Sequence, residues 1–290
     1  MLTSSQKAVM ISHRNVIANI LQISLFDHDM REKIAPGHRD VALGLLPQSH
    51  IYSLIIICHA STYRGDSVVV LPKFELDSYL NAIEEHKINT LYLVPPIVIT
   101  MMNNKGKLGA CDLSSVKHVF SGAAPLGKEV AESLLEQFPT WKVKQAYGMT
   151  ETCVVVSATS ADDVWLGSSG SLLPGFEIKL IRPDGTEITG YNEPGEILVK
   201  SPSIVIGYLN NESATRETFL EFPEGRFIRT GDEAEMRISS KGLEHVWVTD
   251  RIKELIKVKV IYSLDVMQPS DTDQCFRVIK SRRRNSNHAS

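Results

Sequence analysis

The sequence predicts an α/β fold, a mostly parallel sheet with flanking helices followed by a small β-rich subdomain. Two observations predict it. From residue 12 to residue 146, short apolar runs that end in Pro or Gly alternate with stretches of helical period, the pattern of βαβ units whose parallel sheet is covered on both faces. Past about Val164 the grain changes to Gly, Pro and short strands.

Taken in order, Ser12 to Asp27 carries Val16, Ile17, Ile20, Leu21, Ile23 and Leu25, which predicts a helix with one buried apolar face. Val41–Leu46 reads as a strand, Tyr52–Tyr63 as a buried helix and Ser67–Leu71 as a strand ending at Pro72. Asp77–Glu85 is amphipathic, with Leu76, Tyr79, Leu80 and Ile83 on one side. Thr90–Val94 is a strand that stops at Pro95-Pro96, with a helix from Ile97 to Met102. Val116–Phe120 is a strand, Gly127–Gln137 a helix and Trp141–Ala146 a strand. In the second section the short strands are Ile178–Ile181, Gly195–Val199 and Ala234–Ile238, with Pro183-Asp184-Gly185 as a tight turn. The expected division is residues 1–163 for the α/β part, 164–249 for the β-rich subdomain and 250–259 for a charged hinge. A divergent, disordered tail is expected over 260–290, where Ser281-Arg282-Arg283-Arg284 is basic and without period.

Composition narrows the function classes. A net charge of −3 over 290 residues gives no electrostatic case for nucleic acid or an anionic membrane. The greasiest run, Leu54-Ile55-Ile56-Ile57, is too short to span a bilayer. Cys58, Cys111, Cys153 and Cys275 form neither a metal spacing nor a disulfide framework, so reduced, cytoplasmic thiols are expected. No secretory h-region stands at the N-terminus, and no Ser-Lys-Leu peroxisomal address ends the chain.

Four stretches carry the chemistry. In Gln145-Ala146-Tyr147-Gly148-Met149-Thr150-Glu151-Thr152 a strand runs into a glycine turn followed by a hydroxyl, a carboxylate and a second hydroxyl. At the carboxyl end of a sheet strand, that order sets small donors and one acid beside a ligand crevice. A hydroxyl there can bond a phosphate oxygen, and the acid can hold the magnesium that accompanies a triphosphate. Ser121-Gly122-Ala123-Ala124-Pro125-Leu126-Gly127 lets the backbone approach a flat ligand closely. Asp232, after Arg229-Thr230-Gly231, can accept both hydroxyls of a ribose, and Leu46-Pro47-Gln48-Ser49-His50-Ile51-Tyr52 sets an imidazole and a phenol at a helix start. Each alone is as easily an ordinary turn or a structural histidine. A dinucleotide-binding dehydrogenase is disfavoured, because no Gly-x-Gly-x-x-Gly follows any strand.

In this order, and together with Lys7-Ala8-Val9-Met10-Ile11-Ser12-His13, Leu71-Pro72-Lys73-Phe74, Val94-Pro95-Pro96, Gly195-Glu196-Ile197, Gly207-Tyr208 and Asp250-Arg251-Ile252-Lys253-Glu254-Leu255-Ile256-Lys257, these stretches resemble the adenylate-forming superfamily. The resemblance spans residues 7–259 and is greatest to acyl-CoA synthetases of the 4-coumarate–CoA ligase type. It implies ATP-dependent activation of a small carboxylic acid to an acyl-adenylate, then transfer to coenzyme A, with magnesium as the metal. By that resemblance Lys7, His50, Thr150, Lys253 and Lys257 are catalytic and Glu151 ligates magnesium. Gly122, Ala123, Ala124, Pro125, Gln145, Ala146, Tyr147, Gly148, Thr150, Asp232 and Arg251 surround the nucleotide. His50, Tyr52, Ser121, Gly122 and Ala146 line the acyl pocket, and Lys73 and Lys259 lie near coenzyme A.

The sequence departs from that pattern at both ends. Only Thr3-Ser4-Ser5-Gln6-Lys7 stands where the family has a glycine-rich phosphate loop, and Val260 stands where a glycine should follow Lys259. Lys280 lacks the Pro-x-x-x-x-Gly-Lys setting of the catalytic lid lysine. The resemblance therefore implies a chain shortened at both ends, with the C-terminal lid domain largely absent and apolar helix faces left uncovered. A non-catalytic remnant with weak nucleotide binding is the alternative expectation.

Overall fold

A computed structural model describes residues 7–252. Lys253, Lys257, Lys259 and the tail over 260–290 lie outside the described residues, as do residues 3–6. Residues up to Asp250 form one compact unit, and a second unit starts at Arg251.

Two sheets organise the first unit. The first contains β2 (Val41–Gly44), β3 (Ser67–Val70), β4 (Thr90–Leu93), β5 (His118–Ser121), β6 (Lys142–Met149), β7 (Val154–Ala158) and β8 (Ser171–Leu172), in the order β3-β2-β4-β5-β6-β7-β8. From β3 to β6 the strands are parallel, and β7 and β8 are antiparallel additions. The second sheet is antiparallel, β9 (Glu177–Ile181), β10 (Glu187–Ile188), β11 (Gly195–Lys200), β13 (Phe219–Phe222) and β14 (Gly225–Ile238), with β15 (Glu244–Arg251) on β14. The chain crosses between the sheets from Leu172 to Glu177, later than the change of sequence grain at Val164, because β8 still pairs with β7. A short ribbon of β1 (Val9–Met10) and β12 (Gly207–Tyr208) stands apart from both sheets.

Alternation along the parallel strands sorts their side chains to two faces. Leu43, Leu91, Leu93, Val119 and Val143 form one core with α3 (Leu76–His86), α4 (Pro95–Met102) and α6 (Lys128–Gln137). Tyr92 and Phe120 point the other way, into a core that also contains Ile20 and Ile23 of α1 (His13–Ile34), the Ile55–Ile57 run and second-sheet residues such as Ile197 and Ile228. All three isoleucines of that run are buried, although α-helical geometry would spread them over about 200°. The segment Ser53–Ala60 is instead π-helical, continued by α2 (Ser61–Arg64), and its wider turn narrows that arc.

α1 corrects the sequence reading of its faces. Ser12 and Asn15 cap the helix reciprocally, the Ser12 hydroxyl accepting from the Asn15 N–H and Asn15 Oδ1 accepting from the Ser12 N–H. Past the cap, the buried face keeps Ile20 and Ile23 but also carries a polar row. Asn15 donates to the carbonyl oxygens of Pro202 and Ile204, Gln22 donates to Ser201 Oγ, and Asn19 both donates to and accepts from the backbone of Val155. The apolar row Ile17, Leu21 and Leu25 is exposed instead, at 54%, 45% and 62%. The helix also continues beyond the expected Asp27 to Ile34, because Arg31 docks on Asp40 and Asp66; an ion pair leaves no apolar period to read.

Candidate functional site

The sequence motifs gather at the carboxyl ends of β4, β5 and β6. Here β6 departs from expectation. Gly148 is not in a turn: the strand runs on to Met149 and folds back as β7, with a register shift between Tyr147 and Gly148. A Cβ on Gly148 would lie 1.5 Å from the Val154 carbonyl oxygen, so glycine is needed for strand pairing. The reversal itself is a 3₁₀ turn, Thr150–Thr152, after which Cys153 and Val154 hold positive φ of 59° and 103°. Such dihedrals are strained for residues bearing a Cβ, above all for a β-branched valine.

Two phenol–carboxylate hydrogen bonds tie this hairpin to the rest of the chain. Tyr147 donates to Asp232 Oδ2 at 2.7 Å, linking β6 to β14 of the second sheet. Tyr208 donates to Glu151 Oε1 at 2.7 Å, linking the turn to β12. The Glu151 carbonyl oxygen also accepts from the Val205 N–H at 3.0 Å. Lys7 Nζ stands 4.7 Å from the centre of the Tyr208 ring, a cation–π distance. Burial and the neighbouring Glu151 carboxylate push the Tyr208 phenol well above its ordinary range, so it remains a donor.

The second motif is fixed by its neighbours. Gly122 donates to the Leu93 carbonyl oxygen, and a Cβ there would meet the Tyr52 ring at 3.2 Å. Ala123 follows with φ 67°, the left-handed region that a residue with a Cβ rarely enters. Ala124 and Pro125 are exposed beside it, and Gln145 Oε1 accepts from the Leu126 N–H, holding this loop against β6. Tyr52 is buried and donates to the Phe120 carbonyl oxygen, and burial raises its phenol far above the usual range. His50 is exposed and uses Nδ1 to accept from the Tyr52 N–H, which leaves Nε2 to carry the proton of the neutral ring. Ala146 packs on the same core face as Tyr52.

Not every expected residue joins this group. Ser121 alternates with Phe120 and so shares Val119's face of β5, away from Tyr52; its hydroxyl is buried without a hydrogen-bond partner. Lys73 follows β3, the edge strand, and pairs with Glu75 on the surface. Four strand spacings, roughly 19 Å, separate β3 from β6. Arg251 is the exposed last residue of β15. Tyr208 is the participant that sequence reading left without a role, although Gly207-Tyr208 was among the motifs; no local pattern says which acid a tyrosine 57 positions away will meet.

The donor set suits magnesium carried by a triphosphate. Among the described residues no group of three or more His, Cys, Asp or Glu side chains is placed to hold a metal. Magnesium bound with nucleotide typically needs only one or two carboxylates, the phosphates and waters supplying the rest, and Glu151 is a partly buried carboxylate at the strand reversal. Among the described residues, no helix is long and apolar enough to cross a membrane.

Comparison with known proteins agrees with this reading of the fold. Residues 3–209 match the family model described as AMP-binding enzyme. Acyl-CoA ligase AKT1 of Alternaria alternata is 46% identical over 258 residues, which is 89% of this chain and 44% of that protein. Acyl-CoA ligase lcsD of Purpureocillium lilacinum is 46% identical over 250 residues, 86% of this chain and 63% of that protein. Among solved structures, a long-chain-fatty-acid-CoA ligase from Archaeoglobus fulgidus superposes with a TM-score of 0.73 at 26% identity, over 92% of this chain and 54% of its own. O-succinylbenzoate coenzyme A synthetase from Bacillus subtilis, solved with ATP and magnesium ion, gives 0.68 at 27% identity, over 85% and 47%. The chain thus spans less than two thirds of the relatives it matches. With the AMP-binding match covering most of its length and its curated relatives named acyl-CoA ligases, the chain belongs to the adenylate-forming, AMP-binding enzyme family.

Proposed function

We propose that this chain supplies the nucleotide- and acid-recognising part of an acid–thiol ligase, which activates a carboxylic acid with ATP and passes the acyl group to coenzyme A. The observation that carries the reading is the pair of phenol–carboxylate bonds, Tyr147 to Asp232 and Tyr208 to Glu151, which fix one acid beside β6 and another in the reversal that follows it. On this reading Asp232 accepts the ribose hydroxyls, while Gly122, Ala123 and the β6 backbone from Gln145 to Gly148 border the base. Ala124 and Pro125 follow on the same loop, and Arg251 is proposed for the ribose from the family resemblance alone.

Joining a carboxylate to a phosphate brings two anions together, so the work of the protein is alignment and charge compensation. Magnesium, when bound with the nucleotide, supplies Lewis-acid neutralisation of the phosphate oxygens. Glu151 is then the chain's ligand to it, Tyr208 fixes which way that carboxylate faces, and Thr150 donates its hydroxyl to the α-phosphate. Lys7, whose Nζ stands over the Tyr208 ring of β12, adds positive charge near the phosphates. His50 and Tyr52 wall the acid's side of the crevice with Gly122 and Ala146, and an aromatic acid of the 4-coumarate type is one member of the class that would fit. Lys73, Lys253, Lys257 and Lys259 are proposed, from the family resemblance, for coenzyme A and for the hinge.

Calorimetric titration with MgATP tests this reading. Saturable binding is expected, and Asp232→Ala should weaken it by at least about tenfold, since a charge-assisted bond to a ribose hydroxyl is worth about 1.5–3 kcal/mol. A folded chain that takes up no heat, or an Asp232→Ala variant that binds as well as the parent, would reduce the family name to ancestry. Tyr208→Phe separates the metal role from the nucleotide role. It should weaken binding in the presence of magnesium by a few-fold while leaving binding in EDTA unchanged, because only the carboxylate's orientation is lost. An equal loss in both conditions would assign Tyr208 to packing alone.

A further inference from the structure

The opposite end of the parallel sheet holds a second cleft. It has a volume of about 390 Å³ and lies where Asp40, Asn89, Lys117, His118 and Lys142 lead into β2, β4, β5 and β6, closed on one side by the end of α1. Gly122 and Tyr147 sit at the other ends of these strands, so the cleft shares no residue with the nucleotide site.

Its chemistry is specific. Met30 and Ile34 form an apolar wall, and Ile34 is 48% exposed. Lys33, Lys117 and Lys142 face Asp40 and Asp162, leaving one positive charge in excess. Both acids are already engaged, Asp40 by Arg31 and His38 and Asp162 by Lys33. Among the described residues the Lys117 ammonium donates to the Ser114 carbonyl oxygen and, like that of Lys142, makes no ion pair within 4 Å. His118 is more than nine-tenths buried, and its Nδ1 has no hydrogen-bond partner. Burial, then repulsion from Lys144, lowers its pKa to about 4, so the ring is neutral at pH 7. An unpaired ring nitrogen in such surroundings costs free energy unless a guest or a water reaches it. Thr90 Oγ1, also unpartnered, lines a small adjoining void of about 20 Å³ with His118, room for one water.

We propose that this cleft is a second small-molecule site, taking a monoanion with an apolar body, such as a medium-chain carboxylate. The head group meets Lys117 and Lys142 at the rim, the chain lies along Met30 and Ile34, and the buried His118 ring closes the inner wall. A dianion such as free phosphate is disfavoured by Asp40 and Asp162 and by the apolar wall. The site is independent of the ligase reading.

The probe is sodium octanoate, followed by methyl NMR of the full chain, with Met30 reporting on this cleft and Met149 on the nucleotide end. The Met30 signal should shift saturably, and Lys117→Ala/Lys142→Ala should raise the apparent Kd by about tenfold. Both lysines are exposed, so the melting temperature should hold and confirm that the variant is folded. Octan-1-ol should bind more weakly than octanoate. Three results would overturn the assignment: a Met30 signal that stays still while Met149 moves, a double variant that titrates like the parent, or octan-1-ol binding as tightly as the acid.

Discussion

Gly148→Ala is expected to destabilise the chain by about 3 kcal/mol or more, above the usual range for overpacking, because what it meets is backbone. The added methyl would stand 1.5 Å from the Val154 carbonyl oxygen, 2.6 Å from its carbon and 3.0 Å from the Val155 Cα. None of these is the end of a flexible side chain. The clash can be relieved only by parting β6 from β7, which also frees the strained Cys153–Val154 corner and releases Glu151 from its place. Gly106→Ala is the matched control, since nothing lies within 4 Å of that Cβ and alanine is the better residue in a helix. Urea denaturation of the two variants should give midpoints shifted in opposite directions. Equal midpoints would mean that the hairpin register is not as described.

Lys144→Met should cost about 3–5 kcal/mol, the toll of leaving a buried charge without its partner. The face of the sheet carrying Tyr92, His118 and Phe120 holds three carboxylates, Asp27, Asp40 and Asp66, balanced by Arg31, Arg64 and Lys144. Lys144 lies 3.0 Å from Asp27, whose next cation, Arg64, is at 3.8 Å. Burial pushes the Asp27 carboxyl up, but Lys144 and Arg64 more than offset it and hold it below its ordinary value of 3.8. A carboxyl lowered in the folded state gives stability that is present above 3.8 and lost as pH falls through the folded value. His118 has the same sign. Lowered from 6.5 to about 4, it contributes fully above pH 6.5 and loses that contribution between 6.5 and 4. Without Lys144 both groups would rise and accept protons more readily. The variant's deficit should therefore be largest above pH 6.5 and narrow on acidification, as denaturation series across pH would show. A deficit independent of pH would mean that lost packing, not lost charge, is responsible.

This buried charge layer was not legible in the sequence, although the sheet beneath it was. Period and punctuation located β2 through β6 to within a few residues, because each is a short apolar run stopped by Pro, Gly or a polar cluster. They failed where a residue's role depends on a distant partner. Asn15, Asn19 and Gln22 carry no apolar signal, yet they are buried beside Ile20 and Ile23, since their partners at 155 and 201–204 are invisible to a local window. Gly148 reads as a turn because no local window reveals its pairing strand, Val154–Ala158. Lys144 showed only as a charge inside a strand. The motifs themselves were legible because they are contiguous, whereas Tyr208 and the octanoate-sized cleft arise from juxtaposition.

The polar row of α1 also sets the order in which the molecule can assemble. Ser12 and Asn15 let the helix form from its own residues, but its docking bonds reach across 136 to 189 positions of chain. Closing loops of that size is slow relative to local structure, and parallel pairing adds to the delay. α1 should thus be among the earliest segments to become helical and among the last to gain protection from hydrogen exchange. Until β7 and the 201–205 loop are in place it stays unmoored, with three amides and an aliphatic stripe both open to solvent.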